Sequence, residues 1–114
     1  MAPPLADAST HRFLSLLDAC PVVAGANVSR ALVNLPEGKV VLFAMDEGQE
    51  ISEHRAPHVA VVQVLDGKLL FRVGGEEREM GPHAWLVMPA DAPHSLRALA
   101  PTRFVLTVLK AGGR

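Results

Sequence analysis

Three histidines are the residues of this sequence whose types and spacing could carry chemistry together. His54 and His58 lie in the segment Glu50-Ile-Ser-Glu-His-Arg-Ala-Pro-His58, and His94 ends the segment Pro89-Ala-Asp-Ala-Pro-His94. Neutral imidazoles gathered inside a β-fold are a common way for a small protein to bind a transition metal. If the three side chains converge, we expect a site for a divalent Zn, Ni, Fe or Mn ion with an open coordination position.

The spacing of His54 and His58 sets a condition on the backbone between them. In one straight strand their Cα atoms would lie about 13 Å apart, at about 3.3 Å per residue, which is too far to share an ion. Pro57 lies between them and is typical of a strand end or a turn. We therefore expect His54 to end one strand and His58 to open the next, antiparallel one. Gln63 is a weaker candidate ligand, because strand alternation places it on the face opposite to His58.

The elements that must position these residues are short strands. Turn residues recur about every ten positions after Pro21, as expected for strands in an all-β domain. The pairs Asp66-Gly67 and Gly74-Gly75 predict tight hairpin turns, since such turns need positive φ. Between the turns lie β-prone runs at residues 28–33, 39–45, 60–65, 68–73, 84–88 and 103–109. This pattern predicts an all-β sandwich or barrel.

The first 20 residues have a different character from the rest. Residues 1–20 predict a loose tail and one short amphipathic helix over residues 9–19, capped by Asp7 or Ser9 and stopped by Pro21. Residues 21–114 predict a single barrel domain. The chain has 114 residues, 49% of them hydrophobic, which suffices for one core.

Composition excludes several classes of function. The formal net charge is −1 and the charges are scattered, so we expect no nucleic-acid partner. No apolar run approaches the ~18 residues of a membrane span, so we expect no membrane partner. Cys20 is the single cysteine, which fits a reducing compartment. The N-terminus lacks the pattern of a signal peptide, and we expect a cytoplasmic protein.

The two histidine segments resemble the motifs of the cupin superfamily. Gly48, five residues, His54 and later Gly67 are similar to its first motif, and Gly81 followed by Pro89-Ala-Asp-Ala-Pro-His94 is similar to its second. The resemblance implies a small single-domain, RmlC-like cupin. Its fold would be a double-stranded β-helix, a jelly-roll barrel, with the site in its mouth. It also implies that the histidines of the two motifs are metal ligands.

Two positions depart from the family's ligand set. The second histidine of the first motif falls on Ala56, and the family's glutamate falls on Ala60. His58 lies between these positions and is the candidate to substitute for one of them. The glycine of the second motif is Asp91, a residue that tolerates left-handed backbone. A site made of histidines alone would lack a compensating carboxylate and should bind its ion more weakly.

The residues leave the function open between two main classes, and whether the chain is an enzyme stays undecided. The first is a metal-dependent enzyme of the oxygenase or isomerase type acting on a small organic molecule. The alternative is a non-catalytic barrel that binds or senses a small molecule and has lost its metal. A third reading is a stand-alone relative of the sensory half of a transcription regulator. The resemblance further implies a homodimer that pairs through edge strands and apolar sheet faces.

Overall fold

The computed structural model describes residues 3–110 of the chain. Within that range no helix is long and apolar enough to cross a membrane. The described elements are one helical turn and nine strands: α1 (Leu16–Ala19), β1 (Asn27–Leu35), β2 (Gly38–Met45), β3 (Glu50–His54), β4 (Val59–Asp66), β5 (Leu69–Val73), β6 (Glu76–Met80), β7 (Trp85–Met88), β8 (His94–Ala98) and β9 (Thr102–Leu109).

The strands form two sheets whose neighbours are all antiparallel. The large sheet has the order β1-β2-β9-β4-β7, and the small sheet has the order β3-β8-β5-β6. From β2 onwards the chain passes repeatedly from one sheet to the other, and only β5 and β6 are consecutive strands of one sheet. This winding is the jelly-roll arrangement, so the predicted all-β double-stranded β-helix is confirmed.

The main core lies between the two sheets and follows the alternation of the strands. In β4, Ala60, Val62 and Val64 are buried, whereas Gln63 is exposed and lies opposite Trp85 on the outer face. Burying an aliphatic side chain of this size stabilises the fold by about 1.5–3 kcal/mol. The buried members of this core are Met45, Ala60, Val62, Val64, Leu69, Phe71, Met80, Met88, Leu96, Ala98 and Phe104.

The N-terminal segment packs on the outer face of the large sheet. The predicted short helix is present, but it covers only Leu16–Ala19 of the expected residues 9–19. Leu14 and Leu16 of the predicted apolar stripe pack against a second core cluster, but Phe13 is 93% exposed, and short helices need a packed apolar face to form. The Asp7 carboxylate accepts a hydrogen bond from the Ser9 amide at 2.7 Å, which makes a turn instead of a helix cap. Cys20 belongs to this second cluster with Leu32, Leu42, Ala44 and Val105.

Candidate functional site

The fold brings His54 and His94 into contact across the small sheet. His54 is the last residue of β3, His94 is the first residue of β8, and the two are directly paired in the antiparallel register. Their ring centroids lie 4.1 Å apart with the planes at 61°. His94 is 9% exposed, while His54 is exposed at the end of its strand. The two motif histidines therefore form one site with a buried and an accessible member.

Local hydrogen bonds set the same tautomer in both rings. Nδ1 of His54 lies 2.9 Å from the carbonyl oxygen of Ser52, and Nδ1 of His94 lies 3.0 Å from that of Ala92. A carbonyl can only accept, so each Nδ1 carries the proton and donates it. In the neutral ring Nε2 then holds a lone pair. Neither Nε2 has a hydrogen-bond partner within residues 3–110. The site therefore offers two neighbouring nitrogen acceptors.

The pair lines a cavity of about 160 Å³ between the two sheets, which is open to solvent on the side of the exposed His54. Its other eight lining residues are all apolar: Phe43, Ile51, Val62, Phe71, Met88, Leu96, Phe104 and Leu106. The Phe71 ring lies nearly parallel to that of His94, at 14° with centroids 6.1 Å apart. The two imidazoles are thus the polar groups of an otherwise apolar lining that contains no charged side chain.

A single backbone contact joins the loops on either side of the pair. The amide of Asp91 donates to the carbonyl oxygen of Ala56 at 2.7 Å. Asp91 has φ of 66°, the left-handed conformation expected for the residue at this motif position. The bond connects the loop that follows His54 with the loop that precedes His94, and so it helps to hold the two rings side by side.

His58 is not placed with the other two histidines. The expectation that β3 and β4 are antiparallel neighbours is wrong, because β3 belongs to the small sheet and β4 to the large one. His58 is half-buried just before β4 and is not among the residues that line the cavity. Gln63 lies on the outer face, away from the cavity, as strand alternation predicted. The three-histidine metal centre stays a prediction.

The described side chains do not complete a metal site in this conformation. Catalytic sites for ions of this kind have at least three protein ligands, and the pair supplies two nitrogens. Across residues 3–110, no three His, Cys, Asp or Glu side chains are arranged so that they could hold an ion. The two free Nε2 atoms can accept a hydrogen bond from a ligand, or they can supply part of a metal's ligand shell.

Sequence reasoning named the histidines but did not select the walls of their cavity. Val62 of β4 and Leu106 of β9 are paired in the register and both line it, as do Phe43 of β2 and its partner Phe104. The alternation of β4 is the signal that could have found Val62, since this residue shares the inward face with Ala60. Which strands lie beside one another follows only from the fold.

Comparisons with known proteins identify the family of this chain. The family model of the cupin domain matches residues 41–109, more than half of the chain. The chain belongs to the cupin superfamily. This cupin is similar in structure to a conserved protein of unknown function from Streptococcus pyogenes, with 30% identity, a TM-score of 0.82 and coverage of 89% of each chain. A comparison with curated proteins finds no significant match.

Two further solved cupins share the fold at lower identity. A cupin superfamily protein from Desulfitobacterium hafniense is 19% identical, with a TM-score of 0.81 and coverage of 88% of this chain and 92% of the other. An RmlC-like cupin from Desulfovibrio desulfuricans is 24% identical, with a TM-score of 0.78 and coverage of 88% and 97%. These structures confirm the small cupin fold that the motifs predicted.

Proposed function

We propose that this cupin is a binding barrel whose cavity at His54 and His94 takes one small, uncharged organic molecule. The observation that carries the proposal is the pair of partner-free imidazole acceptors in an otherwise apolar cavity of about 160 Å³. Small-molecule sites are mostly apolar, with a few polar groups that orient the ligand. A dry cavity of about 150 Å³ is large enough for benzene.

The apolar walls and the two histidines would make different contributions to binding. The apolar walls exclude water and gain about 25 cal/mol per Å² of apolar ligand surface buried. His94, the buried member of the pair, and His54, the exposed one, orient the polar group of the ligand. No Arg, Lys, Asp or Glu lines the cavity, so a charged ligand would be buried without a counter-charge, which is costly.

A thermal-shift experiment with cyclohexanol, toluene and phenol tests the proposal. Ligand at 100 times its Kd should stabilise the folded state by about 2.7 kcal/mol. The variant Leu106→Phe fills the cavity and should abolish the shift. The matched control Val23→Phe places the same side chain at a position that is 46% exposed, and it should keep the shift. If none of the three compounds raises the Tm of the wild-type protein, the binding proposal is contradicted.

A second candidate is a metal-dependent enzyme of the oxygenase or isomerase type, with His54, His58 and His94 as ligands. The observation in its favour is the tautomer, because both Nε2 atoms of the contacting pair are in the form that binds metals. The candidate requires His58 to swing towards the pair; it sits in the loop between β3 and β4, outside both strands. A bound ion would supply a Lewis acid or a dioxygen site.

Elemental analysis separates this candidate from the first. Protein purified without added metal or chelator should contain Fe, Mn, Ni or Zn near one per chain if the metal centre exists. The double variant His54→Ala/His94→Ala should lose the metal, His58→Ala should weaken its binding, and the exposed turn residue His83 provides a control as His83→Ala. Unchanged metal content in the double variant would rule out this ligand set.

We also propose a homodimer formed through the bare half of the large sheet's outer face. Its exposed apolar side chains are Val59, Trp85, Val87 and Leu109, at 37%, 59%, 48% and 51% exposure. They share one face in the register, and β7 is an edge strand, which is a ready template for pairing. The variant Val87→Lys should shift the protein to a monomer in size-exclusion chromatography with light scattering. The control Ser52→Lys, on the small sheet, should not.

A cytoplasmic location also stays among our proposals. It is supported by Cys20, a free thiol that is 1% exposed, because unpaired buried thiols are usual where the compartment is reducing. Fractionation of the source cells with an antibody against the protein would test it, and recovery outside the cytoplasmic fraction would contradict it.

A further inference from the structure

We propose that the molecule bound at His54 and His94 is a single-ring aromatic alcohol, a member of the phenol class. The inference rests on the proposed binding function and adds the chemistry of the ligand. Three properties of the cavity carry it: the aromatic content of its walls, the acceptor-only character of its polar groups, and its size.

The walls favour an aromatic ring over a saturated one. Of the four phenylalanines in the chain, Phe43, Phe71 and Phe104 line the cavity, while Phe13 is 93% exposed on the N-terminal segment. Phe43 and Phe104 are already stacked, with centroids 4.8 Å apart and planes at 3°. A further ring gains offset or edge-to-face contacts beyond its area burial. The thioether of Met88, another lining residue, also makes favourable contacts with aromatic rings.

The polar groups require a ligand that donates a hydrogen bond. Both Nδ1 protons are held by backbone carbonyls, so His54 and His94 present acceptors only. A ketone, an ether or a carboxylate has no proton to donate. An ammonium group has protons, but it would carry an unpaired charge into a lining without acidic residues. Among the uncharged donors, which include amide and aromatic N–H groups as well as hydroxyls, a phenolic hydroxyl is the most acidic and therefore donates most strongly.

The size of the cavity matches one ring. A volume of about 160 Å³ is close to the roughly 150 Å³ that accommodates benzene. A polyol such as a sugar would bring several hydroxyl groups into a cavity in which only the two imidazoles can accept hydrogen bonds. Each buried hydroxyl left without a partner costs free energy. One ring with one hydroxyl therefore matches both the volume and the count of polar partners.

Calorimetric titration with phenol and toluene tests the class of the ligand. The two molecules have nearly the same shape, with a hydroxyl in one and a methyl in the other. Toluene leaves water more readily, so the decisive quantity is the phenol-to-toluene affinity ratio in the wild type compared with His54→Phe. Removing one acceptor should lower this ratio about two- to tenfold. The control His83→Phe, at an exposed turn, should leave the ratio unchanged.

The outcomes separate this inference from the proposed function. An unchanged ratio in His54→Phe, with both compounds still bound, overturns the hydroxyl assignment and leaves the binding barrel standing. Tighter binding of cyclohexanol than of phenol overturns the aromatic assignment, and Phe71→Leu should weaken phenol more than cyclohexanol if that assignment is right. Tighter binding of benzoate than of phenol overturns the uncharged class. If phenol, toluene and cyclohexanol all fail to bind, the proposed function itself has failed.

Discussion

The two ends of the barrel differ in whether their polar groups have hydrogen-bond partners within the chain. In the register of the small sheet, β5 pairs with β8 from Leu69 opposite Ala98 to Val73 opposite His94. The open end is the one at Val73 and His94, and it contains the pair of His54 and His94 with the two loops beside it. The closed end is the opposite one, where the β4–β5 turn meets the start of β9, and it contains Asp66, Gly67, Thr102 and Arg103.

At the closed end, polar groups find partners inside the chain. Asp66 accepts hydrogen bonds from the Arg103 amide at 3.0 Å and from two guanidinium nitrogens at 3.3 and 2.6 Å. The same arginine donates to the Leu17 carbonyl and so ties α1 to the barrel. Thr102 is fully buried; its hydroxyl lies 2.9 Å from the Lys68 amide, which donates to it, and 2.7 Å from the carbonyl oxygen of Ala100.

At the open end, the polar atoms of the histidine pair that face the cavity lack hydrogen-bond partners among residues 3–110. The two Nε2 atoms have no partner within the described residues, and one amide–carbonyl bond from Asp91 to Ala56 connects the loops. We therefore expect residues at the closed end to contribute mainly to stability and, under the proposed function, residues at the open end to contribute mainly to ligand binding. Substitutions at the two ends should therefore separate stability from ligand binding.

The largest effect should come from Gly67→Ala at the closed end. Gly67 has φ of +85°, and a Cβ there would collide with the backbone of Pro101 and Thr102 and with the Thr102 hydroxyl. We expect a loss of roughly 2–4 kcal/mol in urea unfolding, from backbone strain and overpacking together. Gly74→Ala is the control, because it has φ of +57° with nothing within 4 Å and should cost only about 1–2 kcal/mol. Equal losses would show that the close approach contributes nothing.

The next effect should come from Asp66→Ala. The change removes the acceptor of three hydrogen bonds from Arg103, whose side chain is 21% exposed, and should cost about 1–3 kcal/mol by thermal or urea unfolding. Glu76→Ala is the control, since it removes the ion pair with Arg78 in which both side chains are more than 60% exposed. Such surface pairs contribute about 0–1 kcal/mol. A larger loss for the control than for Asp66→Ala would contradict the comparison.

A smaller effect on stability is expected when the pH is raised, because the thiol of Cys20 ionises. Burial raises the pKa of Cys20, while Arg30 and Arg103 act in the opposite direction. Since the folded pKa lies above the unfolded value of about 8.5, the stability that the neutral thiol contributes is complete below that pH. It is lost as pH rises through the folded pKa.

Thermal unfolding followed upwards from about pH 8.5, the ordinary pKa of a free thiol, measures this loss. The chain contains no tyrosine, so no phenol contributes to the alkaline dependence, and Cys20→Ala separates the thiol from all other groups. Cys20→Ala should lower the Tm at every pH but flatten its decline on the alkaline side. A decline of the same slope in both proteins would show that the thiol is not responsible.

The smallest effect on stability should come from the open end, with His54→Phe. The side chain is exposed, and its hydrogen bond to the Ser52 carbonyl is local and exposed. We expect a change within about 0.5 kcal/mol, measured by urea unfolding in the absence of ligand. A loss comparable to that of Asp66→Ala would mean that the imidazole pair is structural.

The sequence predicted the local features of this fold well. Alternation correctly separated Ala60, Val62 and Val64 from Gln63, and Gly74-Gly75 joins the paired strands β5 and β6 as a hairpin, as predicted. The hairpin predicted at Asp66-Gly67 is wrong, because β4 and β5 lie in different sheets, although Gly67 does have a positive φ. The two motifs also located His54 and His94, which the structure brings together. The alternation and hairpin predictions succeeded because each depends on the chirality and period of a few neighbouring residues. The histidine pair was identified through the resemblance of its two segments to the cupin motifs.

The predictions that failed depend on long-range pairing. His54 and His58 are near in sequence, and adjacency suggested neighbouring strands, but β3 crosses to the other sheet before β4 begins. The true partner of His54 lies 40 residues away at His94. The helix over residues 9–19 was also predicted too long, because its periodicity does not reveal that Phe13 has no surface to pack on. Both outcomes are decided by tertiary contacts that a local pattern does not contain.

Trp85 has a practical consequence for every spectroscopic study of this protein. It is the only tryptophan, the chain has no tyrosine, and its side chain is 59% exposed. Ultraviolet emission excited at the indole band therefore comes from a single, already hydrated chromophore. An isolated chain should show red-shifted emission that changes little on unfolding, so that a fluorescence melt would miss a transition that circular dichroism records. A dimer that covers the indole should instead emit to the blue and shift to the red on dilution.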